Sequence, residues 1–288
     1  MTTKPDVLRY TAFSADPEGG NPAGVVLDAS GLDDDTMLSI AADLGYSESA
    51  FLTAPPEGLD GDPGRTFTIR YFSPKAEVPF CGHATVATAV ALGERIGPGD
   101  LTFATAAGVV PVTVRETEGT LRATLTTVRP HTEDVAETDL AEALAALDWP
   151  VGDLDTALPS RIAFAGARHL VIAAATRERL ADLAYDIDRL TVLMHRLDLT
   201  TVQLVWRESE HVFHVRDPFP VGGVVEDPAT GAAAGAFGAY ARELGLVADD
   251  AVLTLHQGAD MGRPGVLTVE LRAEDERVRV SGTGVRIG

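Results

Sequence analysis

The chain has 288 residues, with 23 basic against 43 acidic side chains and a net charge of −20, which argues against binding to nucleic acid or an anionic membrane, since both rest on basic patches. One cysteine excludes an internal disulfide and a four-cysteine zinc site, and the length fits two domains of about 140 residues each. Met1–Asp6 lacks the apolar core of a signal peptide, and no apolar run reaches the roughly 18 residues of a membrane span, so a cytoplasmic protein is expected.

In chain order, Val7–Phe13 and Ala23–Leu27 read as strands around the turn Gly19-Gly20-Asn21-Pro22. Asp33–Leu44 reads as a helix, opened by acidic residues, striped with Met37, Ile40, Ala41 and Leu44, and closed by Gly45. Strands follow at Ser47–Thr53, Phe67–Phe72, Leu101–Phe103 and Pro111–Arg115. An acidic region from Arg129 to Asp155, with a helix near Asp139–Leu147, contains or follows the domain boundary, placed at 118/119. Further strands are expected at Arg161–Phe164, Leu170–Ala173, Thr201–Trp206, His211–Arg216, Val252–Leu255, Gly265–Leu271 and Arg277–Ile287. Arg177–Leu197 reads as one helix, and Asp217-Pro218 echoes Ser73-Pro74.

An internal repeat organises this order. Glu77-Val78-Pro79-Phe80-Cys81-Gly82-His83-Ala84 returns as Glu226-Asp227-Pro228-Ala229-Thr230-Gly231-Ala232-Ala233, half a chain later and in constant register. Neither His83–Gly93 nor Gly231–Ala241 contains Asp, Glu, Lys or Arg. A helix uncharged all round is a buried one, so each half is expected to carry one buried helix, giving an α+β pseudo-dimer. The first N–H groups of such a helix lack partners within it and carry partial positive charge. Gly82 and Gly231 would let an anion approach closely there, or would serve only tight turns. Ligands commonly bind in clefts between domains, and the two helix starts are expected to face such a cleft.

Glu48 shares a strand face with Ala50 and Leu52. It is either desolvated, and so raised in pKa for acid/base work, or placed at a solvated strand end. His83 follows Gly82 and could hydrogen-bond a substrate or relay a proton, or be structural. Asp227 precedes the second glycine and could equally be a turn residue. Gly45-Tyr46-Ser47-Glu48-Ser49 approaches a hydrolase elbow but has serine where the second glycine is required, which leaves a serine hydrolase at Ser47 as a remote alternative. Phosphate-loop, dinucleotide and H-E-x-x-H signatures are absent from the sequence. His211 and His214, three apart in an expected strand, would point to opposite faces, which is poor for one metal. With lysine only at Lys4 and Lys75, the sequence argues for chemistry with no cofactor and no metal.

Taken together, Gly20-Asn21-Pro22-Ala23, Ser47-Glu48-Ser49, Pro79-Phe80-Cys81-Gly82-His83-Ala84-Thr85 and Asp227-Pro228-Ala229-Thr230-Gly231 resemble the phenazine-biosynthesis-like (PhzF) family, which shares the diaminopimelate epimerase fold. The resemblance implies two pseudo-symmetric domains, 1–118 and 119–276, each a mostly antiparallel or mixed sheet wrapped round a central helix, with the final strand 277–288 returning to the first. It also implies a homodimer, no cofactor, a small carboxylate substrate, and isomerisation of dihydro-hydroxyanthranilate-like acids by proton movement. Glu48 then matches the catalytic glutamate, with His83 and Asp227 as polar partners and Ser47, Gly82, Gly231 and Ala232 as substrate-binding positions. Ala232 stands where the family usually has serine, and Thr230 where the epimerases have their second cysteine. A two-thiol mechanism is therefore excluded, and Cys81 reads as packing rather than as a nucleophile. The alternative is a non-catalytic binding protein that kept the cleft.

Overall fold

The computed structural model describes residues 5–288; Met1–Lys4, which carry most of the signal-peptide reading and one of the two lysines, lie outside the described residues. The described residues form two compact units, residues 5–126 with 281–288, and residues 127–280. The 118/119 boundary expected from sequence falls on the turn of a hairpin, where Glu118 and Gly119 both have positive φ and the flanking strands pair with each other. The chain leaves the first unit only after that hairpin closes.

The first unit runs β1 (Leu8–Ala12), β2 (Asn21–Val26), α1 (Asp34–Leu44), β3 (Glu48–Thr53), β4 (Thr66–Phe72), β5 (Glu77–Val78), α2 (Gly82–Ile96), β6 (Gly99–Thr105), β7 (Gly108–Thr117) and β8 (Thr120–Thr126). Its sheet is mixed: β2 pairs parallel with β3, and β4 with β6, while the hairpins are antiparallel. α1 is limited as its sequence dictates, with the Asp33 carboxylate accepting from Thr36 N–H and Gly45 left-handed at its end. Phe51 and Phe72 pack edge to face at 5.5 Å and meet Met37 and Ala41 of α1 on the outer side of the sheet. Alternation therefore turns Glu48, Ala50 and Leu52 to the other side, where α2 packs against β1, β2, β3, β7 and β8. Every residue of α2 from Gly82 to Gly93 is buried.

The second unit runs β9 (His131–Asp134), α3 (Glu137–Leu147), β10 (Arg161–Phe164), β11 (Arg168–Ala173), α4 (Arg177–Ala181), α5 (Ile187–Leu197), β12 (Thr201–Arg207), β13 (Val212–Pro218), β14 (Glu226–Asp227), α6 (Gly231–Glu243), β15 (Val252–Gln257), β16 (Gly265–Arg272) and β17 (Asp275–Arg286). The last strand is shared, since its residues from Ser281 onward belong to the first unit, where they pair with β1. Here too the parallel pairs are β11 with β12 and β13 with β15. α3 and α5 cover one face through Leu144, Leu147, Leu190, Leu193 and Met194, and α6 packs against β9, β10, β11 and β16. Each unit is thus a mixed sheet wrapped round one buried helix, the α+β architecture expected.

Three expectations are corrected. Arg177–Leu197 is two helices, because Asp186 caps a new start by accepting from Arg189 N–H, and its own N–H is held by Ala146 O. His211 lies before β13 rather than in it. Asp217-Pro218 ends β13 and pairs with β14, whereas Ser73-Pro74 lies beyond β4 in a loop, so the two dipeptides are not equivalent.

Small residues in α6 are dictated by packing. A Cβ built on Gly238 would lie 2.5 Å from Val269 Cγ1 and 3.0 Å from Val278 Cγ1. Gly238→Ala is therefore expected to lower stability by about 1–3 kcal/mol in urea titration, although alanine is the better helix former.

Candidate active site

Glu48 opens β3 and Cys81 stands at the N-cap of α2, with no side chain capping that helix. The antiparallel β3–β4 pair and the short β4–β5 pair return the chain so that α2 begins beside Glu48. The result is a tight group: Cys81 Sγ lies 3.3 Å from His83 Nδ1 and 3.6 Å from Glu48 Oε2, and His83 Nε2 lies 3.6 Å from the same Glu48 oxygen and 3.4 Å from Ser47 Oγ. Glu48 is only 6 % exposed and His83 3 %, so the solvated strand end is excluded.

Burial sets the protonation of this group. It pushes the Glu48 carboxyl above its ordinary value, against the lowering effect of hydrogen bonds from Ser47 and Cys81. It lowers His83 to about 3, which keeps the imidazole neutral above that pH. Their contact is consequently not an ion pair at neutral pH. It is a polar contact between a carboxyl that takes up a proton readily and an imidazole that can donate or accept.

Beneath the group, Thr85 Oγ1 donates to Cys81 O at 2.6 Å and shares a 2.6 Å hydrogen bond with Tyr71 OH. This fixes the first turn of α2. Cys81, read from sequence as packing, is in contact with both Glu48 and His83. Its neighbour 33 positions earlier could not be seen from local spacing.

In the second unit Asp227 lies in β14 opposite Asp217. Thr230 Oγ1 donates to Asp227 Oδ2 at 2.6 Å, and Gln257 clamps the loop by donating to Asp227 O at 2.8 Å while its carbonyl accepts from Thr230 N–H at 2.9 Å. Gly258, beside it, takes φ +79, and a Cβ there would lie 2.3 Å from Arg263 O and 2.6 Å from Pro228 O. Gly231 and Ala232 form the first turn of α6, which no side chain caps.

Sequence reasoning missed a second buried network in this unit. His169 Nδ1 lies 2.8 Å from Thr201 Oγ1, which donates to Asp217 Oδ1 at 2.7 Å. Burial raises Asp217 well above the usual carboxylate value, against the Thr201 hydrogen bond, and the charges of Asp227 and Glu226 add to the rise. A raised folded pKa means that the folded state holds the proton longer, so stability is lost as pH rises from about 4 through that folded value. Asp217→Asn is expected to flatten this fall, gaining on the parent protein by about 1.4 kcal/mol per pH unit across the window, measured by denaturant titration at a series of pH values.

Three of the residues singled out from sequence, Ser47, Glu48 and His83, come together in the first unit, with Gly82 between Cys81 and His83. Asp227, Gly231 and Ala232 come together in the second. Among the described residues, Glu48, Cys81 and His83 also form a group whose donor atoms lie within 4.8 Å of one another, close enough to hold a metal ion. Among the described residues, no helix is long and apolar enough to cross a membrane.

Comparison with known proteins extends the resemblance over the whole chain. The profile of a family described as phenazine biosynthesis-like protein matches residues 10–288. The chain is 33 % identical to the uncharacterized isomerase YddE of Escherichia coli over 292 residues, covering 98 % of this chain and 96 % of the relative. It is 32 % identical to the trans-2,3-dihydro-3-hydroxyanthranilate isomerase of Pseudomonas fluorescens over 280 residues, covering 96 % and 95 %. Among solved structures, a predicted epimerase of Pseudomonas aeruginosa superposes with a TM-score of 0.87 at 29 % identity, covering 99 % and 98 %. A hydroxyproline epimerase of Agrobacterium vitis shares the fold alone, with a TM-score of 0.65 at 14 % identity over 98 % and 90 % of the two chains.

Proposed function

The chain belongs to the phenazine biosynthesis-like family, and from that premise we propose that it is an isomerase that moves a proton on a small carboxylic acid, with Glu48 as the general acid/base. The observation that carries this reading is the buried Glu48 carboxyl in contact with Cys81 and His83 at the start of α2. The isomerase names of two relatives support the reaction class. The name of one supports the substrate class, a dihydro-hydroxyanthranilate or a related unsaturated acid.

Glu48 in its carboxylate form takes a proton from a carbon activated by a neighbouring carboxyl or conjugated double bond. The electron pair of the broken C–H bond shifts into that conjugated system. Glu48, now protonated, returns the proton to a different carbon, so that nothing is consumed and only the double bond has moved. Desolvation favours both half-steps, because it brings the carboxyl's proton affinity closer to that of the carbon acid. His83, neutral across the working range, hydrogen-bonds a substrate oxygen or amine and relays no net charge. Ser47 and the Gly82 backbone contribute polar contacts beside it.

For the second unit the proposal assigns substrate-binding roles to Asp227, Gly231 and Ala232, with the helix-start amides of the latter two as receptors for a carboxylate. A homodimer is proposed from the family resemblance and is tested by light scattering on the eluting protein. The functional test is incubation with trans-2,3-dihydro-3-hydroxyanthranilate and a panel of cyclic unsaturated and amino acids, followed by proton NMR. Migration of a double bond or inversion at a carbon next to a carboxyl is expected for at least one. Tight binding across the panel with no change in any spectrum would contradict an isomerase.

A further inference from the structure

Gln257 ends β15, paired with Val215 of β13 and Gly265 of β16, and is 1 % exposed. Every polar atom of its side-chain amide is engaged. Nε2 donates to Asp227 O at 2.8 Å and to Thr230 Oγ1 at 3.0 Å, while Oε1 accepts from Thr230 N–H at 2.9 Å. A reversed amide would set Oε1 against a carbonyl oxygen and the amino group against an N–H, so only one orientation satisfies the loop. That orientation dictates the next link. Thr230 Oγ1 receives a Gln257 proton and gives its own to Asp227 Oδ2 at 2.6 Å. The buried Asp227 carboxyl is thus turned by Gln257 through the Thr230 hydroxyl. The same side chain sorts the amides at the start of α6. Thr230 is the N-cap, and the first bond within the helix runs from Ala234 N–H to the Thr230 carbonyl. Thr230 N–H is committed to Gln257, so the first-turn donors with no partner inside the helix begin at Gly231.

We infer that Gln257 is a positioning residue for the second-unit site: through Thr230 it sets the Asp227 carboxyl, and by taking the cap amide it directs a substrate carboxylate onto Gly231 and Ala232. The inference rests on the substrate-binding roles proposed above for Asp227, Gly231 and Ala232. Glutamine is the residue this loop asks for, because two donors and one acceptor must sit on one planar group. Ionised glutamate has the same shape but no donor, and it would draw the Thr230 proton away from Asp227. Leucine fills the space and offers neither donor nor acceptor, which leaves a buried N–H and a buried carbonyl without partners.

The test titrates acetate into the isotope-labelled full chain and follows backbone amide shifts by NMR. In the parent, Gly231 and Ala232 amides are expected to shift along a saturating curve, while the Thr230 amide stays still and exchanges slowly with solvent. A Thr230 amide that follows acetate would overturn the inference without any variant. Gln257→Leu and Gln257→Glu, each checked for native circular dichroism, are expected to weaken acetate binding about tenfold or more, the worth of one hydrogen bond to a charged group. Thr230→Ser keeps the hydroxyl and should stay within threefold of the parent. A loss confined to Gln257→Glu, with Gln257→Leu within twofold, would assign the effect to charge repulsion and overturn the positioning role. Parent amides that ignore acetate would overturn the α6 anion site and the inference with it. Responsive amides that both Gln257 variants leave unchanged would overturn the role of Gln257 alone, so the two failures are separate results.

Discussion

Glu48→Gln is expected to lower kcat by roughly 10²–10⁴-fold, the range that one positioned acid/base group supplies, while leaving the fold intact. The change keeps the shape of the side chain and its hydrogen-bonding reach, and it removes a carboxyl that burial penalises when charged. Activity and stability should therefore move apart. In the parent protein, kcat/KM should fall on the acid side as pH drops through the raised Glu48 pKa, because protonation removes the base. No second inflection is expected near the ordinary histidine value of about 6.5, since His83 titrates near 3. A histidine-like inflection lost in His83→Gln would show that His83 changes charge during turnover and would revise its role.

Arg216→Met is expected to destabilise the second unit by roughly 3–5 kcal/mol, the cost of leaving a buried charge without its partner. Arg216 holds Glu226 through two hydrogen bonds of 2.9 and 2.6 Å and also donates to Ala181 O at 2.6 Å. The two side chains are only 10 % and 4 % exposed, and Asp217 and Asp227 lie in the adjoining register. Adding Glu226→Met should recover most of the loss. The first unit supplies the control, because Arg70 holds Glu77 by the same two-point geometry at 2.7 Å, but with side chains 27 % and 39 % exposed. Arg70→Met should cost about 1 kcal/mol or less. Denaturant titration of the three variants measures the difference.

That paired arginine shows where sequence reading reached and where it stopped. The match of Glu77 with Glu226 was legible because both precede a proline and a glycine at constant spacing. Their arginine partners were not, because Arg70 stands seven residues before its glutamate and Arg216 ten, the loop between β13 and β14 being longer. The two buried helices were legible from their lack of charge, since a core helix has no solvent face to give a periodic signal. Glu48 was legible as a candidate from the alternation of β3, but its contact with Cys81 and His83 joins segments more than 30 residues apart. The His169–Thr201–Asp217 network was invisible, because it joins three strands across the sheet and each of its members reads locally as an unremarkable strand residue. Helix ends followed the same logic: Asp33 and Gly45 bounded α1 as expected, while the second start at Asp186 was hidden within a continuous apolar period.

The most direct measurement of the central claim is isomerisation in heavy water, followed by NMR, with the parent protein and Glu48→Gln side by side on whichever acid the screen identifies. The account predicts that the parent's product gains a hydrogen at one new carbon, deuterium where the Glu48 carboxyl exchanges with solvent and the substrate's own proton where it does not, and that the variant is slower by at least 10²-fold. Equal rates of turnover and labelling in the two proteins would place the proton transfer on another group and contradict the mechanism.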